Sequence, residues 1–222
     1  MRPAPPRADS LERVAEDTRA KILDAACALI AADGIDDVRI ARVANRARVS
    51  TSLVHHYFST REELLTEALR HSYERAGDER FAADPETLDG DVARLAQALA
   101  ASLPLPGPQS EEWVLWFELW LRAVRDPALR PVAAELYARY HEWFAGVLRR
   151  GVEAGTFRSD LDVEHVADVI VGLTDGLSIR AVLGDPEMDL ERIAALLTES
   201  VAALVGVESA ELHRSLDALT AG

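Results

Sequence analysis

Apolar residues recur along this chain at the three- and four-residue spacing of amphipathic helices, and no run alternates as a strand does. In the first such segment, residues 10–33, the apolar positions are Ile22, Leu23, Ala26, Leu29 and Ile30. Gly34 follows directly, as a helix-ending glycine should. The pattern predicts one long N-terminal helix.

Two short helices joined by a tight break are predicted next. Asp36 or Asp37 is placed to cap a helix over residues 38–47, and Ser50 to cap a second helix over residues 51–57. Two short helices in this arrangement are typical of a helix-turn-helix, whose second helix enters the major groove of DNA. Residues 38–58 are therefore predicted to form this motif.

The rest of the chain is also helical in pattern. Thr60 followed by Glu63 is a capping box, and it predicts a fourth helix over residues 60–81. Asp84-Pro85 and the prolines between residues 104 and 108 are the clearest breaks. Further helices are predicted over residues 88–102, 111–125, 129–154, 163–183, 190–205 and 209–219. The predicted fold class is all-α, with a three-helix helix-turn-helix domain at residues 11–60 and a larger helical domain at residues 61–222, linked by the helix of residues 60–81.

Composition narrows the class of protein further. The chain has 222 residues, of which 49% are hydrophobic and 28% charged, as in a soluble globular protein. Its single cysteine, Cys27, excludes an internal disulfide and a multi-cysteine metal site, and its apolar neighbours predict a core position. No apolar stretch approaches the ~20 residues that span a bilayer. We expect a cytoplasmic protein without a membrane partner, with a disordered, proline-rich arm at residues 1–10.

Charge is distributed unevenly along the chain. The formal net charge is -14, which taken alone argues against nucleic acid. Residues 1–75 nevertheless carry 12 basic and 12 acidic side chains, and the window between Asp37 and Glu62 contains five arginines and no acid. This predicts a DNA-contacting face joined to an acidic body. The alternative is a basic surface patch with no partner.

The predicted second helix of the motif carries polar side chains on its outer face. Val49, Val54 and Phe58 are expected to anchor it to the core, which leaves short polar and aromatic donors for base edges and phosphates. The residues predicted to contact DNA are Arg39, Arg48, Ser50, Thr51, Ser52, His55, His56, Tyr57, Thr60 and Arg61. The two histidines could instead be an exposed pair with no role. A metal site is disfavoured, because adjacent helical side chains diverge by about 100°.

This N-terminal region resembles the TetR family of repressors. The resemblance covers residues 18–65 and is carried by Arg19-x-x-Ile22-Leu23-x-Ala25-Ala26-x-x-Leu29-Ile30-x-x-x-Gly34, Val43-Ala44-x-x-Ala47-x-Val49-Ser50, His55-His-Tyr-Phe58 and Arg61-Glu-Glu-Leu64. It implies a dimeric regulator whose helical body binds an inducer. The chain departs from the family pattern at Arg48, where the family usually has glycine, at Val38 and Arg39, and at His55 and Tyr57, where the usual Tyr and His are exchanged. A left-handed backbone at Arg48 would cost about 1 kcal/mol.

Aromatic side chains form two stripes at helical spacing in the second domain. The residues predicted to bind a ligand are Trp113, Trp116, Phe117 and Trp120 on one helix, Tyr137, Tyr140, His141 and Phe144 on the next, and Asp175. Such stripes are often plain core. The alternative is a pocket, because aromatic walls with a few polar groups such as Glu118 suit a small molecule. This region is similar to that of choline-responsive members of the family, and the similarity implies a cationic inducer held in an aromatic cage.

The last two long helices are predicted to form a dimer interface. They run from Val163 to Leu183 and from Leu190 to Val205, and each carries an apolar stripe with small residues, among them Gly172, Ala194 and Ala195. Two such helices from each subunit would form a four-helix bundle. The alternative is burial within one subunit. A dimer predicts a palindromic operator in double-stranded DNA.

These observations favour a sequence-specific transcriptional repressor that a small-molecule inducer releases from its operator. The competing hypothesis is an all-α ligand-binding protein or enzyme that does not bind DNA. The sequence contains no nucleophile–base pattern, no His-x-x-x-His and no phosphate-binding glycine loop. We therefore expect no catalytic residue, no metal site and no cofactor.

Overall fold

The computed structural model describes residues 8–81 and 90–220, and these residues form helices and turns without a strand. The α-helices are α1 (Ala8–Asp33), α2 (Ile40–Ala47), α3 (Thr51–Tyr57), α4 (Arg61–Phe81), α5 (Asp91–Ala101), α6 (Pro108–Arg125), α7 (Arg130–Glu153), α8 (Val163–Val182), α9 (Leu190–Val205) and α10 (Ser209–Thr220). Two 3₁₀ turns, Ile35–Asp37 and Pro127–Leu129, lie between helices. The all-α prediction is confirmed.

The start of α1 and the entry to α2 differ from the prediction. Helix α1 begins at Ala8, so only residues 1–7 of the expected arm are left, and these lie outside the described residues. Asp36 and Asp37 do not cap α2, because they belong to the 3₁₀ turn that follows Gly34. Arg39 occupies the N-cap position without a side-chain hydrogen bond. The turn redirects the chain between α1 and α2, and this moves the cap two residues beyond the acidic pair.

Other predicted helix ends are confirmed by their hydrogen bonds. The Ser50 hydroxyl accepts a hydrogen bond from the Leu53 amide at 3.2 Å. The Thr60 hydroxyl accepts one from the Glu63 amide at 3.0 Å, and the Glu63 carboxylate accepts one from the Ser59 amide at 2.7 Å. These bonds satisfy amides that the first turn of a helix otherwise leaves without a partner. The predicted break at Asp84-Pro85 lies outside the described residues.

The chain folds as two compact units. The first comprises Met1–Arg75 and Val114–Leu129, and the second comprises Ala76–Trp113 and Arg130–Gly222. The buried side chains of the first unit include Ile22, Leu23, Ile30, Val43, Val54, Phe58, Leu64 and Leu65 from α1 to α4, and Leu115 and Leu119 from α6. Cys27 is buried among them, as predicted, and burial raises the pKa of its thiol to about 12. This first core positions α3.

The second unit has its own core. It is formed by apolar side chains of α5, α7, α8, α9 and α10, among them Leu95, Leu99, Phe144, Leu148, Ile170, Ile193, Leu197, Val201, Leu212 and Leu216. The α10 helix packs into this core through Leu212 and Leu216, both 0% exposed. Among the described residues, no helix combines the length and apolarity needed to cross a bilayer.

Candidate DNA-binding surface and ligand site

The turn between α2 and α3 is closed by a left-handed residue. Arg48 has φ 58° and ψ 42°, and it is the one non-glycine residue with positive φ in the described part of the chain. The Val49 amide donates to the Ala44 carbonyl at 2.9 Å, which is the six-to-one bond of a Schellman motif. The left-handed backbone that the sequence suggested at Arg48 is therefore present.

Helix α3 presents a polar outer face. Val54 and Phe58 are 0% and 1% exposed and hold the helix to the core, whereas Leu53 is half-buried. The exposed side chains of α3 are Thr51, Ser52, His55 and His56. This is the orientation that the sequence predicted for these four residues.

Tyr57 is turned partly inward. Its side chain is half-buried, and its hydroxyl donates to the Ala15 carbonyl of α1 at 3.2 Å. The tyrosine therefore connects the end of α3 to α1. The predicted contact between Tyr57 and DNA stays a prediction. To make it, the Tyr57 hydroxyl would either keep its hydrogen bond to Ala15 or exchange that bond for one to DNA.

Two arginines of the motif have free guanidinium groups. Arg46 and Arg48 are exposed, and neither side chain has a hydrogen bond or an ion pair with another described residue. Arg42 is different, because it pairs with Asp33 at 2.7 Å, and Arg39 donates to the Asp36 carbonyl at 2.7 Å. Arg46 was not among the residues predicted to contact DNA. The signal that could have identified it is its place in the acid-free window.

Arg61 points toward protein backbone. Its Nε donates to the Val38 carbonyl at 2.7 Å, and its Nη2 donates to the carbonyls of Ile35 and Asp36 at 2.7 and 2.9 Å. The side chain is only 25% exposed. The predicted contact between Arg61 and a phosphate stays a prediction.

The first aromatic stripe lies on α6. Trp116, Phe117 and Trp120 are half-buried in the first unit, and their rings meet at centroid distances of 5.7 Å for Trp116–Trp120 and 5.6 Å for Phe117–Trp120. Trp113 is buried and belongs to the second unit. Glu118, on the same helix, accepts a hydrogen bond from the Ile35 amide at 3.4 Å. That these aromatic residues line a pocket stays a prediction.

The second aromatic stripe lies on α7. Tyr140 and Phe144 are buried in the core of the second unit and pack at a centroid distance of 5.3 Å. Trp143, which was not among the predicted ligand residues, packs against both, at 6.1 Å from Tyr140 and 5.2 Å from Phe144. His141 takes a different direction, with its Nε2 lying 3.5 Å from the Asp168 carboxylate of α8.

Asp175 and Tyr137 form a polar pair between α8 and α7. The Tyr137 hydroxyl donates to the Asp175 carboxylate at 2.8 Å. Burial raises the pKa of Asp175 to about 6, although the bond from Tyr137 acts in the opposite direction. Burial, followed by the charge of Asp175, raises the pKa of Tyr137. Within the described residues, no Arg, Lys or His side chain pairs with Asp175.

The partly buried Asp175 carboxylate has lost part of its hydration, and the neutral Tyr137 hydroxyl replaces little of it. Removing a charge from water is unfavourable unless an opposite charge or several hydrogen bonds replace the lost hydration. Asp175 is therefore a place in the second unit where an added cation would be stabilised. Of the predicted ligand residues, the structure brings Asp175 and Tyr137 into direct contact.

A helix-turn-helix whose second helix has an exposed polar face, in a chain that also contains a larger helical unit, is typical of transcription regulators. The family comparison agrees. Residues 22–68 match the model of bacterial regulatory proteins of the tetR family, and residues 91–206 match the model of the BetI-type transcriptional repressor C-terminal domain. The chain belongs to the TetR family and has a BetI-type C-terminal domain. It is a DNA-binding transcriptional repressor.

Similar proteins cover most of the chain. The HTH-type transcriptional regulator BetI of Brucella suis biovar 1 is 26% identical over 194 residues, which are 87% of this chain and 94% of the relative. A transcriptional regulator of Saccharomonospora viridis, solved in complex with choline, is 29% identical with a TM-score of 0.75, over 84% of this chain and 96% of that one. A TetR-family regulator of Rhodococcus sp. is 28% identical with a TM-score of 0.72, over 86% and 99%. The family resemblance drawn from the sequence is confirmed, and the competing hypothesis of a protein without DNA binding loses its support.

Proposed function

We propose that this repressor binds a palindromic operator as a homodimer and is released by a small organic cation bound at Asp175. The observation that carries the proposal is the partly buried Asp175 carboxylate, which has Tyr137 as its hydrogen-bond donor and no cationic partner among the described residues. A cationic inducer would supply the missing charge, and the ring of Tyr137, beside Asp175, would stabilise it further.

The DNA contacts are proposed for the outer face of α3 and the residues that flank it. Thr51, Ser52, His55 and His56 are exposed there, as base-edge and phosphate contacts require. The proposed set is Arg39, Arg48, Ser50, Thr51, Ser52, His55, His56, Tyr57 and Thr60, to which we add Arg46. Arg61, predicted from the sequence, is left out because its guanidinium already donates to three backbone carbonyls. Arg46 and Arg48 support the proposal most. Their guanidinium groups are exposed and pair with no other described residue, so they are available to phosphates although the protein as a whole is acidic.

The dimer is proposed through α8 and α9. Gly172 and Gly176 are exposed in the middle of α8, and a Cβ added at either would meet no atom within 4 Å. A mid-helix glycine costs about 0.5–1 kcal/mol relative to alanine, and packing within this subunit requires neither. Close approach by a second copy of α8 would account for both. Leu183, 76% exposed at the end of α8, extends the same apolar surface.

Much of the apolar stripe predicted for the interface packs inside the subunit. Val166, Ile170, Ile193 and Leu197 lie in the core of the second unit, as does Ala194. The alternative drawn from the sequence, burial within one subunit, therefore describes these residues. The proposed interface is narrower and is centred on the two exposed glycines.

The inducer is proposed to be choline or a related quaternary ammonium compound. The Saccharomonospora viridis relative was solved with choline, and the Asp175 site has the charge such a cation needs. Of the other predicted ligand residues, we propose with Asp175 those that belong to the same unit, which are Trp113, Tyr137, Tyr140, His141 and Phe144. The positions of Tyr140 and Phe144 fit a role in core packing as well as a role in ligand binding, because both side chains are buried in the core.

The test compares a cation with its neutral isostere. Tryptophan fluorescence titrations with choline and with 3,3-dimethyl-1-butanol, which has carbon in place of nitrogen, should show binding of choline alone. Asp175→Asn should weaken choline binding about tenfold or more, because charge-assisted contacts contribute more than neutral ones. Choline should also release the protein from the duplex that it enriches from a random library. Equal binding of both compounds, or unchanged affinity in Asp175→Asn, would overturn the cation proposal.

A further inference from the structure

The segment Ile35–Val38, here called the strap, connects α1 to α2. Its 3₁₀ turn leads into Val38, which is 0% exposed, and α2 begins two residues later at Ile40. The Arg39 carbonyl then accepts hydrogen bonds from the amides of Arg42 and Val43 at 2.9 and 3.1 Å. Any displacement of the strap must therefore displace the start of α2.

Arg61 of α4 holds the strap on one side. A single guanidinium donates to three strap carbonyls, those of Ile35, Asp36 and Val38, at 2.7–2.9 Å. The planar fork of arginine makes this possible, since its donors point in fixed directions. A lysine at this position would keep the charge but would offer one ammonium in place of the fork. The arrangement therefore depends on the shape of Arg61 as well as on its charge.

Helix α6 holds the strap on another side. Glu118 accepts a hydrogen bond from the Ile35 amide at 3.4 Å, and Arg122 Nη2 lies 4.0 Å from the Asp36 carboxylate. A cavity of about 270 Å³, lined by these four residues and by Leu121 and Arg125, lies between the strap and α6. The contacts of Glu118 and Arg122 with the strap lie beside this cavity.

We infer that Arg61 and Glu118 are positioning residues that hold the strap, and through it the α2–α3 pair, in the orientation that binds DNA. Arg61 acts through the three carbonyls and does not contact a phosphate, and Glu118 transmits the position of α6 to the start of α2. The inference rests on α3 as the DNA-reading helix and is independent of the inducer. It departs from the role that the sequence predicted for Arg61.

The first experiment separates positioning by Arg61 from charge. Dissociation constants are measured from about 50 to 300 mM salt for wild type, Arg61→Lys and Arg61→Gln, on the duplex that the wild type enriches from a random library. We expect Arg61→Lys to weaken binding about tenfold, as a loss of hydrogen bonds in the free protein allows. The slope of log K against log salt should be the same in all three proteins, because no phosphate contact is lost. Arg75→Lys is the matched control, because Arg75 also lies on α4, pairs with Asp24 at 3.3 Å and is outside the proposed DNA contacts, and it should bind as wild type does.

A direct contact between Arg61 and a phosphate would give a different result in the same experiment. A phosphate contact at Arg61 would leave Arg61→Lys near wild-type affinity, and the slope would fall by about one in Arg61→Gln. That outcome would overturn the inference and leave the proposed function standing. If the wild type enriches no duplex, DNA reading by α3 fails and the inference fails with it.

A second experiment addresses Glu118 in the free protein. Glu118→Gln keeps an oxygen that can accept the Ile35 amide, whereas Glu118→Leu removes it. We expect hydrogen exchange of the Ile35 amide to accelerate in Glu118→Leu and not in Glu118→Gln, and DNA affinity to follow the same order. The double variant Arg61→Lys/Glu118→Leu should weaken binding by less than the product of the two single effects, because both residues act on one segment. Unchanged exchange at Ile35 in Glu118→Leu would overturn the role of Glu118, whether or not DNA affinity changes.

Discussion

At the scale of single residues, Arg48 shows a local conformation retained at a cost. A left-handed backbone is unfavourable by about 1–2 kcal/mol for a residue with a Cβ, yet the chain has arginine at this position, with its guanidinium exposed. The Schellman bond from Val49 to Ala44 requires the backbone conformation but not the side chain. We therefore expect the side chain to be retained for DNA contact, at the expense of stability.

Arg48→Gly is expected to stabilise the fold by up to about 1 kcal/mol, since relief of the left-handed strain exceeds the entropy lost by glycine. Arg46→Gly is the matched control, because Arg46 lies in the ordinary helical backbone of α2 and its loss should cost about 1 kcal/mol. Urea unfolding measures both changes. A destabilised Arg48→Gly protein would contradict the prediction. Both variants should bind DNA more weakly, with a shallower salt dependence.

The role proposed for Asp175 predicts that cation binding depends on pH. The pKa of Asp175 is raised to about 6 by burial, so the carboxylate is charged at pH 7 and becomes neutral as the pH falls below 6. Affinity for choline should therefore fall as pH decreases from 7.5 to 5.5, and Asp175→Asn should show weak binding at every pH. Fluorescence titrations at several pH values measure this. A pH-independent affinity in the wild type would contradict the role of Asp175.

At the scale of elements, α8 has two faces with different roles. Its inner face, with Val166 and Ile170, packs in the core of the second unit, whereas Gly172 and Gly176 face solvent. Neither glycine is required by the backbone or by packing inside the subunit, since both have ordinary helical φ and open space around an added Cβ. The exposed face of α8 is thus suited to a close helix crossing.

Gly176→Leu is expected to weaken the dimer about 100-fold or more, because a side chain at a close crossing forces two helices apart. Gly146→Leu on α7 is the matched control, since Gly146 is also a mid-helix glycine with no atom within 4 Å of an added Cβ, and it lies outside α8 and α9. Sedimentation velocity at micromolar protein measures the dimer. Equal association of the two variants would exclude the proposed interface.

At the scale of the whole molecule, the acidic excess lies outside the N-terminal region that is proposed to contact DNA. The chain has a net charge of -14, while its first 75 residues balance acids and bases. A protein of this charge is repelled by DNA except where a local basic surface offsets the phosphates. Binding should therefore be restricted in orientation and sensitive to salt.

If the exposed Arg39, Arg46 and Arg48 of each subunit meet phosphates as proposed, a dimer makes about six phosphate contacts, and the slope of log K against log salt should be about -5. Fluorescence anisotropy of the enriched duplex over a salt series measures the slope. The variant Arg46→Gln/Arg48→Gln should reduce its magnitude by about four per dimer. A slope near zero in the wild type would show that these residues do not meet phosphates.

Local features of this protein could be predicted from its sequence because they depend on interactions between residues that are close together in the chain. Helical periodicity placed the helices, Ser50 and the Thr60–Glu63 pair cap them as expected, and the position of Arg48 indicated a left-handed turn. Each of these depends on residues within five positions of one another. The family resemblance of residues 18–65 depends on the same local spacing and is confirmed by the match at residues 22–68.

Contacts between distant segments were decided by the tertiary structure. Tyr57 reaches Ala15, 42 residues away, Arg61 reaches Ile35 across 26, and Glu118 reaches Ile35 across 83. Sequence spacing places a side chain on one face of its helix but does not say what packs against that face. The caps of Asp36 and Asp37 were predicted wrongly for this reason, since the turn they form is held by Arg61 and Glu118 from other helices.

The sequence by itself determined that the chain is helical, that α3 exposes a polar face and that acidic and basic residues are segregated, because periodicity, capping and charge are local properties. The tertiary structure decided that Asp175 meets Tyr137 in a partly buried pair and that the Arg61 guanidinium donates to carbonyls of the strap. Burial and hydrogen-bond partners depend on which helices pack together. Two features exist only in the folded chain: the partly buried Asp175 carboxylate without a cationic partner among the described residues, and the strap held between α4 and α6.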